Sequence, residues 1–82
     1  MGNDDRKMKR EVGKRLQKLR KQRSLTQKEA GKQAGINPTT LSGYEIAKNE
    51  PNLQNLQKLS ELYQVSIDYI VTGRNRTNGD EE

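Results

Sequence analysis

The side chains able to do chemistry in this sequence are mostly cationic. Of its 82 residues, 16 are Lys or Arg and 11 are Asp or Glu, a net charge of +5. The excess is concentrated at one end. Residues 1–28 hold eleven basic and three acidic side chains, net +8, whereas residues 29–82 hold five and eight, net −3. A basic half against a mildly acidic half suits a polyanionic partner, and DNA, RNA and an anionic membrane surface all qualify. A second group of useful side chains lies within Asn37–Ile46. If that stretch is helical, Pro38, Thr39, Ser42 and Gly43 point outward. They are small and uncharged, and two carry hydroxyls. Such a face can approach a grooved surface closely.

Other chemistries drop out on composition. The chain has no Cys, hence no disulfide frame, thiolate nucleophile or zinc–thiolate site. It has no His, so the usual general base and the commonest metal ligand are missing. The carboxylates and lysines that remain form no pair in a cleft motif, so no catalytic residue, metal or cofactor is expected. The longest uninterrupted apolar run, Tyr69-Ile70-Val71, is far below the ~18 residues of a membrane span. The stretch from Met1 to Arg6 is too polar for a signal peptide, which makes the cytoplasm the expected location. The apolar fraction, 28%, allows one small core and a single domain.

The elements that position these residues read as short helices. Residues 1–7 and 74–82 are expected to be flexible polar tails around a domain at 8–73. Met8, Val12, Leu16 and Leu19 share one face, which predicts a first helix from Met8 to Gln22. Gly13 within it costs about 1 kcal/mol relative to Ala. Thr26-Gln27-Lys28-Glu29 is a capping box, and the second helix runs over 27–34 until Gly35 stops it in the left-handed conformation. Asn37-Pro38 starts a third helix, 38–46. Asn52 caps a fourth, with Leu53, Leu56, Leu59 and Leu62/Tyr63 as its core stripe. Ser66 caps a fifth, which Gly73 closes. The expected fold class is all-α: a compact five-helix domain.

The second and third helices are joined by a tight turn, Ala34-Gly35-Ile36, which suits a steep crossing rather than an antiparallel hairpin. Gly31 sits where the third helix presses closest. Ala30, Ala34, Ile36, Leu41 and Tyr44 fall inward. Taken with Leu16, Leu19-Arg20, Leu25-Thr26-Gln27, Glu29, Leu41-Ser42, Tyr44-Glu45 and Pro51, this ordered set resembles the lambda repressor/Cro-like (XRE-type) helix-turn-helix family. Leu53, Leu56, Leu59, Val65-Ser66 and Asp68-Tyr69 continue the match over residues 9–73. The chain departs from the family pattern at Ser24 and Ala47, where Gly is frequent, and at Gly43, where many members carry a longer base-reading side chain.

The resemblance implies a five-helix DNA-binding domain that reads the major groove with the helix 38–46 and regulates transcription, usually as a repressor. Base contacts are expected from Pro38, Thr39, Ser42 and Gly43. A hydroxyl can donate to or accept from a base edge, and the Thr methyl can meet a thymine methyl. Phosphate contacts are expected from Thr26, Gln27, Lys28 and Thr40, and from Arg15, Arg23 and Lys48; Lys18 and Lys21 belong to the same basic patch. Arg20 and Glu45 are implied to form a partly buried ion pair tying the recognition helix to the first. The partners implied are double-stranded DNA and a second copy of the chain, paired through the fourth and fifth helices and the loop at 47–51. Tyr63, Tyr69 and Ile70 serve either that dimer face or the core. The setting implied is a bacterial or phage-encoded protein on the nucleoid. A second reading is an antitoxin-type protein-interaction module on the same fold, with Asp80-Glu81-Glu82 at the partner site. Residues 74–82, however, carry no apolar stripe to dock with.

Overall fold

The computed structural model describes residues 2–74, with side chains from Asp5 onward. Five helices follow one another: α1 (Gly2–Gln22), α2 (Gln27–Ala34), α3 (Pro38–Glu45), α4 (Leu53–Tyr63) and α5 (Ile67–Thr72). No strand occurs among the described residues. Helix α1 packs on α3 and α5, α2 packs on α3 and α4, and α4 packs on α5.

The helix ends form where local chemistry places them. Thr26 Oγ1 accepts from the Glu29 amide at 3.0 Å, and the Glu29 carboxylate accepts from the Thr26 amide at 2.9 Å. The capping box is therefore complete. Gly35 stops α2 with φ 75°. Asn37, Asn52 and Ser66 cap α3, α4 and α5 through their side-chain oxygens. The third helix ends at Glu45 with Ile46 as its cap, one residue short of the expected 38–46, a normal uncertainty for a helix end.

Two expectations need correction, and one choice left open is decided. Helix α1 starts at Gly2, so residues 2–7 belong to it rather than to a flexible tail. Residues 4–12 contain no Pro or Gly, and Arg, Lys, Met and Glu are all good helix formers. Met8 is 47% exposed and Leu53 is 80% exposed, so the core stripes of α1 and α4 begin at Val12 and Leu56. Tyr63 and Ile70 are core residues, 2% and 0% exposed, which removes them from any dimer face. The polar tail expected at 74–82 lies outside the described residues except for Arg74.

The core is built from Val12, Leu16 and Leu19 of α1, Ala30 and Ile36, Leu41 and Tyr44 of α3, Leu56, Leu59 and Tyr63 of α4, and Ile70 of α5. Gly13 lies at the closest approach of two helices. A Cβ there would stand 2.5 Å from the Tyr44 carbonyl oxygen and 2.8 Å from that of Glu45. The helix-weakening glycine is what lets α3 lie directly on α1. Gly31 does the same for the turn, where a Cβ would stand 2.5 Å from the Ile36 oxygen.

Candidate nucleic-acid interface

Helix α3 is gripped from two sides. Its inner residues, Leu41, Tyr44 and Glu45, are buried. Arg20 of α1 makes a two-pronged ion pair with Glu45: Nε donates to Oε2 at 2.8 Å and Nη2 to Oε1 at 3.0 Å. Both residues are 8% exposed. Arg20 Nη1 also donates to the Leu25 carbonyl at 2.8 Å, and Gln27 Nε2 donates to Glu45 Oε1 at 3.0 Å. The hydrogen bonds to Glu45, with its charge close by, raise the Arg20 pKa above its ordinary value against the opposing effect of burial. One carboxylate thus joins the end of α1, the start of α2 and the end of α3. Tyr63 lies within its field. Burial first, and Glu45 second, push the phenol up to about 12. Asn55 Nδ2 donates to the Tyr44 hydroxyl at 2.7 Å, which links α3 to α4 as well.

This scaffold leaves one face of α3 outward. Pro38 and Thr39 are exposed, and Thr40 and Ser42 are half-buried. The start of α2 is brought alongside by the Gln27–Glu45 bond, so Thr26, Gln27 and Lys28 border the same region. Lys28 and Lys48 are exposed.

Three expected site residues are covered or engaged by neighbours that the sequence did not show. Gly43 is buried, because the side chain of Asn49 lies over it. Arg15 reaches to α5, where its Nη1 donates to the Ile70 carbonyl at 2.6 Å. Its guanidinium also lies against Gly73. Arg23 Nη2 donates to the Tyr63 carbonyl at 3.1 Å and to Gln64 Oε1 at 3.2 Å. Helix C-termini present unpaired carbonyls and partial negative charge, and both arginines bond to carbonyls there.

The structure also brings forward residues that the sequence reading did not place at the site. Arg6, Lys9 and Arg10 of α1 surround Ile46 and Ala47 at the end of α3. Ile46 is 68% exposed and lies seven residues after Thr39, on the same side of the helix. The spacing was visible, but it mattered only once α1 reached back past Met8. Among the described residues, no group of three or more His, Cys, Asp or Glu is placed to hold a metal ion. No helix there is long and apolar enough to cross a membrane.

Comparison with known proteins agrees with this architecture. The helix-turn-helix family pattern matches residues 16–70. The transcriptional regulator ImmR of Bacillus subtilis is 43% identical over 60 residues, which cover 73% of this chain and 47% of that protein. Repressor protein C2 of Salmonella phage P22 is 36% identical over 62 residues, covering 76% of this chain and 29% of the repressor. The chain thus spans about half or less of the length of these relatives. The crystal structure of the P22 c2 repressor with a synthetic operator superposes with a TM-score of 0.74 at 35% identity, covering 77% of this chain and 96% of that one. The five-helix architecture agrees with these matches: the chain belongs to the helix-turn-helix family and has the lambda repressor-like fold.

Proposed function

We propose that this chain is a sequence-specific regulator of transcription, acting as a repressor, which binds double-stranded DNA with α3 in the major groove. The observation that carries this reading is the presented face of α3, held rigid by the Arg20–Glu45–Gln27 cluster beneath it. Thr39 and Ser42 read base edges, Pro38 makes close contact, and Ile46 offers an apolar surface to a thymine methyl. Thr26, Gln27, Lys28, Thr40 and Lys48 contact the backbone, with Arg6, Lys9 and Arg10 as a further basic rim. The operator complex of the P22 c2 repressor, a relative of the same fold, supports this assignment by analogy.

The working unit is a homodimer on an inverted repeat. Two recognition helices then enter successive major grooves about 34 Å apart, or about 10 base pairs centre to centre. Exposed Leu53, at the start of α4, belongs to the surface proposed for pairing. The protein acts by binding rather than by catalysis, in the cytoplasm.

Selection of bound sites from random duplexes, followed by footprinting and salt titration, tests the reading. An inverted repeat should emerge. If each subunit neutralises about four phosphates, the slope of log K on log salt for the dimer is roughly −7. Selection without a consensus, or a flat salt response, contradicts the proposal.

A further inference from the structure

The outward face of α3 has a gap, and the loop after it fills that gap. At about 100° per residue, Gly43 falls in the same sector as Thr39, Ser42 and Ile46, opposite Leu41 and Glu45. It is nevertheless buried. A Cβ at Gly43 would stand 2.9 Å from Asn49 Nδ2 and 3.9 Å from Asn49 Cγ, and apart from its chain neighbours and the backbone of its own helix it would meet nothing else within 4 Å. The amide of Asn49 therefore occupies space that a side chain at position 43 would take.

The loop is built to hold it there. The amides of Lys48 and Asn49 both donate to the Gly43 carbonyl, at 2.8 and 3.2 Å. Ala47 turns the chain with φ 65°, a left-handed conformation that residues other than glycine seldom adopt. Asn49 itself is exposed. Its side-chain amide makes none of the hydrogen bonds found among the described residues, unlike the capping amides of Asn37 and Asn52. An amide with free donor and acceptor, held over the outward face of α3, has the chemistry that pairs with adenine in the major groove.

We propose that Asn49 supplies the recognition surface with the side chain that Gly43 lacks, and reads an adenine: Nδ2 donates to N7 and Oδ1 accepts from the N6 amino group. The inference rests on the DNA-binding reading above, and assigns base recognition to a residue outside the recognition helix.

The test uses the whole chain. Consensus sites are selected for the wild type, Asn49→Ala, Asn49→Asp and Gly43→Ala. Each protein is then titrated against duplexes carrying all four base pairs at each position, with thermal melting as a check on folding. The wild type should prefer an A·T pair at one position per half-site, and Thr39→Ala and Ser42→Ala should leave that preference intact. Asn49→Ala should flatten it by roughly tenfold to a hundredfold, the discrimination of one bidentate pair, with other positions and the melting temperature unchanged. Gly43→Ala should weaken the same preference, because its methyl displaces the amide. Asn49→Asp should move the preference toward C·G, since a carboxylate accepts from the cytosine amino group. A gain of that kind cannot come from a misfolded variant. An unchanged Asn49→Ala consensus, an equal loss on all sequences, or a lost preference for G·C overturns the assignment while leaving the DNA-binding reading in place. A wild type with no base preference at any position overturns both.

Discussion

Removing one end of the Arg20–Glu45 pair should be far more damaging than removing both. With Arg20→Ala, Glu45 keeps only the Gln27 amide as a donor, at 3.0 Å. With Glu45→Ala, Arg20 keeps only the Leu25 carbonyl, at 2.8 Å. Either change leaves a charge at a site where both residues are 8% exposed. Breaking a buried pair from one side costs about 3–5 kcal/mol, whereas replacing both partners with apolar residues can cost little. A domain of this length has a total stability of roughly 4–12 kcal/mol, so either single change removes about a quarter or more of it. Urea denaturation of Arg20→Ala, Glu45→Ala and the double variant Arg20→Met/Glu45→Leu measures the cycle. We expect singles near 3 kcal/mol or more, and a double variant that loses less than either single. The lever reaches function too, because Glu45 fixes the end of α3. Singles that retain a fold should lose DNA affinity beyond what the lost stability explains. Additive losses below about 1 kcal/mol each, the range of an exposed pair, would refute the reasoning.

Other expectations concern single sites. Thr39→Ala and Ser42→Ala should each change preference at one base pair by about 1–3 kcal/mol, read by competition titration on single-base variants of the selected site; unchanged relative affinities would remove them as readers. Gly13→Ala gains about 1 kcal/mol of helix propensity but places a methyl 2.5 Å from the Tyr44 oxygen. Overpacking of about 1–3 kcal/mol should win, so the variant should melt lower than the wild type, and a higher melting point would contradict the helix contact. The Tyr63 hydroxyl is buried without a hydrogen-bond partner among the described residues, so Tyr63→Phe should be neutral or stabilising at pH 7. The folded-state pKa of Tyr63 is raised from 10.0 to about 12. The unfolded chain therefore ionises this phenol first, so stability is unaffected by it below pH 10 and falls as pH rises from 10 toward 12. Tyr63→Phe should make the alkaline loss shallower, as denaturation at pH 9 and pH 11 would show.

What could be read from the sequence was mostly local. The capping box at Thr26–Glu29 and the Asn37-Pro38 start need only neighbours three residues apart, and both form as expected. The Arg20–Glu45 pair followed from resemblance, since nothing in the spacing of two charges 25 residues apart declares a contact. The roles of Arg15 and Arg23 were hidden for the same reason: their acceptors are backbone carbonyls 55 and 40 residues away. A carbonyl at the end of a distant helix leaves no side-chain signature. Gly13 read as a flaw because propensity is a property of one helix, whereas its purpose is a contact between two. Leu53 fits the stripe of α4 by period, but it sits in the first turn, beyond the reach of the core. Gly43 was placed on the outward face by period, and it lies there; only the return path of the loop shows that Asn49 covers it.

The most direct test of the central claim is the ratio of affinities for a selected inverted repeat and a scrambled duplex of equal length and composition, measured by anisotropy at one fixed salt concentration. The account predicts tighter binding to the selected site by about 10³-fold or more, the lower bound for specific recognition. A ratio near one at that salt concentration, however tight the binding, would mean that the basic surface attracts DNA and α3 does not read it.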